Sequence, residues 1–336
     1  MSKLTRRTAF AAAAALPLAA IGTRAAQAAN FNYKFATNLP PTHPLNTANE
    51  AAIARIKDAT NGRLNITLYP ASQLGTDPAM LAQIRSGAIQ FFTLGPLILS
   101  TLVPLAAING VGFAFTDSAQ AFQAMDGRLG ALVRTKIAAS GLYAFEKIYD
   151  NGFRQITTST HPIKTVDDLH ALRIRVPPAS LWTSMFEDFG AAPTTISFSE
   201  VYTALQTKLV DAEENPLGVI KTAKLYEVQK YCSMTNHMWD GYWLLANPAA
   251  FNALPADIQE IAKREFARAA IEQRAAVGNL NGNVQASLAA EGLLFNAVDP
   301  APFRAKLRSS GFYSNWKAKF GDEAWAVLES YTGKLA

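Results

Sequence analysis

The sequence contains little that would support a metal centre or a disulfide-stapled fold. Cys232 is the only cysteine among 336 residues, so no disulfide can form within the chain. None of the four histidines stands at metal-ligand spacing from another histidine, a cysteine or a carboxylate, so we predict no metal site. The 49% hydrophobic content is ample for packed cores instead, and the length suits two domains.

Catalytic and phosphate-binding motifs are also missing. There is no G-x-S-x-G, no P-loop and no complete G-x-G-x-x-G, since the Gly110–Gly112 pair lacks a third glycine. Glu213, Glu214 and Asp188 are the candidate catalytic carboxylates. Adjacent strand residues face opposite sides, so Glu213 and Glu214 cannot form one acid–base pair. The sequence therefore disfavours an enzyme, and we predict no cofactor.

The basic pI of about 9.2 does not indicate a nucleic-acid-binding protein. Four of the 31 basic residues lie in the first 28 positions, which contain no acid. In the rest of the chain, the remaining basic residues are almost balanced by the 26 acidic residues. This part of the chain therefore has no excess of positive charge for binding a phosphate backbone.

The first 28 residues have the three parts of an export signal. Lys3, Arg6 and Arg7 precede a 13-residue apolar run, and small residues follow at a suitable cleavage position. This run is shorter than the roughly 20 residues that span a bilayer. The paired arginines are typical of a twin-arginine signal. We therefore expect an exported protein whose mature chain begins near residue 29 and lies in the periplasm.

The first part of the mature chain alternates strands and helices. The predicted elements are strands at 33–37, 64–69 and 88–94 and helices at 48–60 and 77–86, the second capped by Asp77. This order predicts an α/β layer with a parallel sheet. Ligands bind beyond the carboxyl ends of such strands, where Asn38, Asp77 and Gly95 would lie.

The remaining elements predict a second sheet and a return to the first. We expect strands at 142–149, 153–158, 172–176, 210–215 and 242–247, and a helix at about 255–291 interrupted near Gly278. Asp150-Asn151-Gly152 reads as a turn, where the chain would first cross between domains, and it would cross back near Asp240-Gly241. A helix of about 50 Å is long enough to run under both domains.

The stretch from Leu172 to Pro216 contains the strongest candidate site. Alternation places Arg173 and Arg175 on one face of a strand. They fit either a solvated face or a carboxylate clamp, because a guanidinium can donate two parallel hydrogen bonds to a carboxylate. Asn215 stands at the end of a second strand, and a capping box at 197–200 would start the helix between them.

Three segments of this region resemble a known family. RIRVP, SFSEVYTALQTKLVDAEENP and YEVQKYCSMTNH are similar to the periplasmic substrate-binding proteins of TRAP transporters, the DctP type. The resemblance covers essentially the whole chain after residue 30. The family pattern has glycine where this chain has Ala212. The resemblance implies a two-lobed periplasmic-binding-protein fold, with two mixed sheets flanked by helices and a long helix bridging both lobes.

The resemblance also implies roles for individual residues. Arg175 would be the main carboxylate ligand, with Asn215 beside it, Arg154 facing the cleft and Phe198 capping the ligand. For Arg154 the alternative is a structural ion pair, and for Phe198 it is a place in the core. From the first domain, Asn38, Asp77 and Gly95 would touch the ligand. The remaining candidates are two aromatic residues for an apolar wall and one histidine that either orients the pocket or packs: Trp182, Trp239 and His237.

The predicted protein is thus a TRAP solute receptor that closes two lobes over a small keto-, hydroxy- or aromatic monocarboxylate. The lobes would comprise residues 29–152 with 241–280, and 153–240 with 281–336. The partners would be the large and small membrane subunits, and a homodimer through the long helix is left open. A hexuronate or other sugar acid is the alternative substrate. A sensory protein that presents its liganded form to a receptor kinase is the alternative function.

Overall fold

The computed structural model describes residues 30–335, without the side chains of residues 281 and 282. The predicted export signal at 1–28 lies outside the described residues. The strands are β1 Phe31–Thr37, β2 Leu64–Tyr69, β3 Phe91–Leu94, β4 Tyr143–Ala144, β5 Tyr149–Thr158, β6 Arg173–Val176, β7 Ala192–Thr195, β8 Ala212–Pro216, β9 Tyr231–Met234, β10 Trp239–Ala246 and β11 Leu294–Ala297.

Helices cover both faces of the sheet. They are α1 Pro44–Ala59, α2 Asp77–Ser86, α3 Pro96–Leu99, α4 Ser118–Asp126, α5 Arg128–Ala139, α6 Ser180–Asp188, α7 Val201–Gln206, α8 Leu217–Thr222, α9 Pro248–Ala253, α10 Ala256–Ala290, α11 Pro300–Ser309, α12 Phe312–Phe320 and α13 Asp322–Thr332. Short 3₁₀ turns lie at Pro104–Gly110, Val166–Leu169, Phe198–Glu200 and Leu225–Glu227.

The sheet is mixed, as the α/β prediction requires. Its main strand order is β2-β1-β3-β10-β5-β8-β6-β7. The βαβ units make β1 parallel to β2 and β3, and β6 parallel to β7 and β8. By contrast, β10 is antiparallel to β3 and β5, and β5 is antiparallel to β8. The two-lobed α/β fold is therefore confirmed.

The two predicted sheets are joined by β5 and β10. The first part of β5 pairs with β10, and its second part pairs with β8 and β9. In the same way, β10 pairs with β5 at its start and with β3 at its end. These two strands, which we call the crossing strands, carry the chain from one lobe to the other without leaving the sheet.

The turn predicted at Asp150-Asn151-Gly152 is wrong, because these residues lie inside β5. Their polar side chains make contacts within the sheet: Asp150 accepts from Trp239, and Asn151 donates to Asp240. Gly152 has φ 97°, and the pairing register shifts opposite it, between Asp240 and Gly241. The turn-like composition thus encodes an irregularity in a continuous strand.

Two predicted helix starts are also wrong. Ser197 makes no capping hydrogen bond; a 3₁₀ turn precedes α7, which begins only at Val201. The N-cap of α2 is Thr76, and Asp77 is its first helical residue. The Asp77 carboxylate instead accepts a hydrogen bond from Asn38, at the end of β1. Asp77 therefore lies one position inside the helix, and its side chain does not serve as the cap.

The long helix α10 is continuous over 35 residues, and the predicted interruption at Gly278 is absent. Phe266 and Ala269 pack in the core around β1 and β3, whereas Val284 and Leu288 pack in a second core with α7 and α8. One helix therefore stabilises the cores of both lobes.

Gln273 fastens α10 to the crossing strand β5. The Asp150 N–H donates to Gln273 Oε1 at 2.9 Å, and Gln273 Nε2 donates to the Asp150 carbonyl at 2.5 Å. The Gln273 side chain is fully buried. Both backbone groups of Asp150 thus depend on one side chain of the helix.

Replacing Gln273 by leucine should lower the free energy of unfolding by about 2–5 kcal/mol, because it removes the partners of two buried backbone groups. Urea denaturation measures the loss, and Gln285→Leu on the exposed face of α10 is the matched control. Equal stabilities of the two variants would contradict this role for Gln273.

Candidate functional site

A line of buried polar side chains runs from the end of β1 to the end of β6. It comprises Asn38, Asp77 and Tyr242 on the side of β1 and β3, Arg154 and Asp240 on the crossing strands, and Glu213, Glu214, Asn215 and Arg175 on β8 and β6. Asn38, Arg175 and Asn215 stand at or beside strand ends, where α/β proteins bind ligands, whereas the others lie within strands or at the start of α2.

Arg154 is fully engaged by the protein itself. Its Nε donates to Glu214 at 2.5 Å, Nη1 to Asp240 at 2.7 Å, and Nη2 to both Glu214 and Asn215 Oδ1. Its guanidinium also stacks on the Trp182 ring, 4.8 Å from the centroid. Burial alone would lower the pKa of Arg154, but the two carboxylates raise it. These contacts match the structural ion-pair reading.

Arg175 is the opposite case. It is 1% exposed, its Nε donates to the Ile196 carbonyl at 2.9 Å, and its Nη1 is buried without a hydrogen-bond partner among residues 30–335. Burial lowers the pKa of Arg175 to about 10. Buried donors are nearly always paired, so an unpaired guanidinium nitrogen indicates a place for an anionic ligand. Arg173, two residues earlier, is exposed and pairs with Asp211 at 2.8 Å.

Asn215 is held beside this clamp by polar contacts. Its Oδ1 accepts from Arg154, and its Nδ2 donates to Glu213 at 2.5 Å. Glu213 also accepts from Thr157 at 2.6 Å, and burial raises the pKa of Glu213 to about 7. Arg175 is the register partner of Glu213, so Asn215 lies at the end of the neighbouring strand. One amide hydrogen of Asn215 remains for a ligand.

The other lobe contributes a carboxyl group and free space. Asn38 donates to Asp77 Oδ2 at 2.9 Å, while Asp77 Oδ1 is buried and unpartnered within the described part of the chain. Burial raises the pKa of Asp77 to about 6, against the effects of Asn38 and of the Arg175 charge. Gly95 is buried, yet a Cβ atom there would meet no atom within 4 Å. Open space therefore borders this loop.

The remaining predicted residues occupy different surroundings. Phe198 is partly exposed and packs against the cores of both lobes. Trp182 is buried beneath Arg154, and its Nε1 has no partner among the residues described. His237 lies 3.1 Å from Glu214, and burial lowers the pKa of His237. Trp239 donates to Asp150 and packs edge-on against Phe115 and Phe122.

The two tryptophans that were predicted to form an aromatic wall pack against different parts of the protein. Trp182 supports Arg154, and Trp239 stabilises the crossing strands from within the core. His237 orients Glu214, which in turn holds Arg154. The sequence reasoning missed Asn151, whose Oδ1 is buried and unpartnered among residues 30–335, because it read Asp150-Asn151-Gly152 as a surface turn.

Two further properties concern metals and membranes. Among the described residues, no group of three or more histidine, cysteine, aspartate or glutamate side chains could hold a metal ion. Across residues 30–335, every helix is too short or too polar to cross a membrane.

The two arginines should differ in their effect on stability. Arg154→Met should cost about 3–5 kcal/mol, because it leaves Glu214 and Asp240 buried without their cation. Arg175→Met should change stability by no more than about 1 kcal/mol, because it removes a desolvated charge with one hydrogen bond. Chemical denaturation of ligand-stripped protein measures both, and equal losses would contradict the division of roles.

Comparison with known proteins gives a consistent match. The family model described as bacterial extracellular solute-binding protein, family 7 (DctP) matches residues 35–311. The 2,3-diketo-L-gulonate-binding periplasmic protein YiaO of Escherichia coli K12 is 35% identical over 205 residues, 61% of this chain and 62% of YiaO. The match thus spans less than two thirds of that relative's length.

Two other relatives are matched over most of their length. A solute-binding protein of Verminephrobacter eiseniae is 31% identical over 278 residues, 82% of each chain. The crystal structure of the sugar acid binding protein DctPAm from Advenella mimigardefordensis, in complex with galactonate, has a TM-score of 0.87. It is 26% identical, and the match covers 92% of this chain and 99% of DctPAm.

Proposed function

Because the chain belongs to family 7 of the bacterial extracellular solute-binding proteins, we propose that it is the periplasmic receptor of a TRAP transporter for a small organic acid. The observation that carries the proposal is the buried Arg175 guanidinium, whose Nη1 lacks a partner within the described chain. A ligand carboxylate would accept from this nitrogen, and the remaining amide hydrogen of Asn215 would support it.

Lobe closure would bring the two halves of the site together. In the proposed division, residues 29–152 with 241–280 carry Asn38, Asp77 and Gly95, and residues 153–240 with 281–336 carry the arginine clamp. The crossing strands are the natural hinge, since they are the sheet connection between these halves. The link between Gln273 and Asp150 would keep the hinge attached to α10 during the motion.

The unpaired polar atoms favour a hydroxylated acid. Besides the Arg175 donor, Asp77 Oδ1 and Asn151 Oδ1 are buried acceptors without partners in the described part of the chain. Ligand hydroxyl groups would satisfy them, whereas an aromatic substituent would leave them unpaired at a cost of about 1–3 kcal/mol each. Trp182 and Trp239 are covered by protein groups. We therefore place hydroxy acids, including sugar acids, ahead of aromatic acids.

The similar proteins support the same order of candidates. YiaO is named for 2,3-diketo-L-gulonate, and the DctPAm structure holds galactonate. Both ligands are hydroxylated acids. The open space beside Gly95 would leave room for more than a short monocarboxylate.

The proposed partners are the large and small membrane subunits of the transporter, and export would follow the twin-arginine route. The family is one of substrate receptors, so we propose binding without catalysis. A sensory protein that docks on a receptor kinase would use the same pocket; neighbouring genes for transporter subunits would distinguish the two. A homodimer through α10 remains a prediction.

A thermal-shift screen of carboxylic acids tests the receptor and the clamp together. In protein that has been stripped of bound ligand, an acid at 100 times its Kd should raise the free energy of unfolding by about 2.7 kcal/mol. Hydroxylated acids should give the largest shifts in melting temperature. Arg175→Lys should abolish the shift, because an ammonium group cannot supply the planar fork. Arg173→Lys on the same strand is the matched control.

The proposal fails if no acid raises the melting temperature of the protein, or if Arg175→Lys leaves the affinity for the acid unchanged. Larger shifts with aromatic acids than with sugar acids would leave the receptor intact and contradict the substrate order.

Affinity should fall as the pH rises above about 6. Burial raises the pKa of Asp77 to about 6, and a bound anion beside Arg175 would raise this pKa further. Above pH 6, ligand binding is then coupled to the uptake of a proton. The affinity for the ligand therefore falls by up to about tenfold for each unit by which the pH rises. Glu213, with a pKa of about 7, acts in the same direction.

Isothermal titration from pH 5.5 to 8 measures this dependence. In the Asp77→Asn variant, the part of the pH dependence of the affinity that is centred near pH 6 should disappear. In the control variant Asp58→Asn, which changes an exposed residue of α1, it should remain. A pH-independent affinity of the unaltered protein would contradict proton uptake.

A further inference from the structure

A cavity lies beside the crossing strands, away from the arginine clamp. Its volume is about 640 Å³, within the range of about 300–1,000 Å³ that is usual for small-molecule pockets. Its lining comes from the segment that leads into α4, from the first turn of α11, from Phe153 of β5 and from Asn236 just before β10.

This cavity is distinct from the arginine clamp. Phe153 lines the cavity, while the next residue, Arg154, points into the ionic network with Glu214 and Asp240. Adjacent strand residues face opposite sides of a sheet. The cavity and the network are therefore separated by the thickness of β5, and neither Arg175 nor Asp77 lines the cavity.

Aromatic rings form part of the cavity lining. Phe113, Phe115 and Phe153 all contribute to its lining. Phe113 has φ 53°, a left-handed conformation that is costly for a bulky residue. A hydrogen bond from its N–H to the His237 carbonyl, at 2.8 Å, holds it there. The surrounding structure thus maintains a strained residue in the cavity wall.

A cation without a carboxylate partner stands at the edge of these rings. Arg304 of α11 lines the cavity, and its Nε is buried with no hydrogen-bond partner among residues 30–335. The guanidinium also bonds with the Tyr313 hydroxyl, which is neutral because burial raises the pKa of Tyr313 to about 12.

Asp117 is the acid of the cavity lining, and two neutral groups donate to it. It accepts from the Gln120 N–H, at the start of α4, and from the Thr116 hydroxyl. Asp117 and Arg304 form no ion pair with each other, so the Arg304 guanidinium remains available to the anionic group of a ligand.

We propose that this cavity binds a small apolar carboxylate, with the carboxylate on Arg304 and the apolar part against Phe113, Phe115 and Phe153. The charge complementarity selects an anion, and the rings select an aromatic or branched hydrocarbon. Such a ligand differs from the hydroxylated acid proposed for the Arg175 site.

The test uses 4-phenylbutyrate and full-length mature protein carrying Arg175→Ala, which removes the clamp from the measurement. Equilibrium dialysis should show saturable binding of one molecule per chain. Adding Arg304→Gln should weaken this binding by at least about tenfold, because the charged hydrogen bond is lost. Adding Lys306→Gln, which removes an exposed charge from the same helix, should leave it unchanged.

A second variant provides an independent check in case the Arg304→Gln protein does not fold. Ala301→Trp fills the cavity from an exposed position of α11 and should abolish the binding without lowering the melting temperature. Absence of saturable binding to the Arg175→Ala protein would overturn the proposal. So would binding that survives both Arg304→Gln and Ala301→Trp.

Discussion

The arrangement of the whole site depends on one buried ionic network. Arg154 joins Glu214 of β8 to Asp240 of β10, and so ties the second lobe to a crossing strand. Burial opposes ionisation of Glu214, but Arg154 and His237 hold the pKa of Glu214 below its usual range. Because Glu214 and Asp240 compensate the charge of Arg154 within the protein, Arg154 can be buried without a ligand.

The division of work between the two arginines follows from this network. The guanidinium nitrogens of Arg154 donate to protein groups and position Asn215. By contrast, Nη1 of Arg175 has no partner among residues 30–335. In the proposed site, the desolvation of the Arg175 cation opposes folding, and a bound carboxylate would offset part of that cost. The orientation of the clamp is therefore set before the ligand arrives.

Much of this architecture could be predicted from the sequence, because regular periodicity reports which face of an element is buried. The α/β order, the strand at Leu64–Tyr69 and the helix at Asp77–Ser86 follow from such patterns. Arg175 and Asn215 were found from motifs at strand ends. Their contacts with the ligand remain predictions.

What could not be predicted depends on contacts between distant segments. Asp150-Asn151-Gly152 has the composition of a turn, and only Gln273, Trp239 and Asp240, about 90 to 120 residues away, keep it in a strand. The same limit applies to Arg154, since both readings of its role fit the sequence. Asp240, which lies 86 residues away, provides one of the contacts that favour the ion-pair reading.

The buried glycine beside the cleft has a consequence for how such receptors diversify. Open space surrounds the position that a Gly95 side chain would take, and the scaffold around it does not rely on that side chain. A substitution there would alter the shape available to a ligand while leaving the arginine network and α10 untouched. In the proposed receptor, new substrate ranges would therefore arise by single mutations that are nearly neutral for folding.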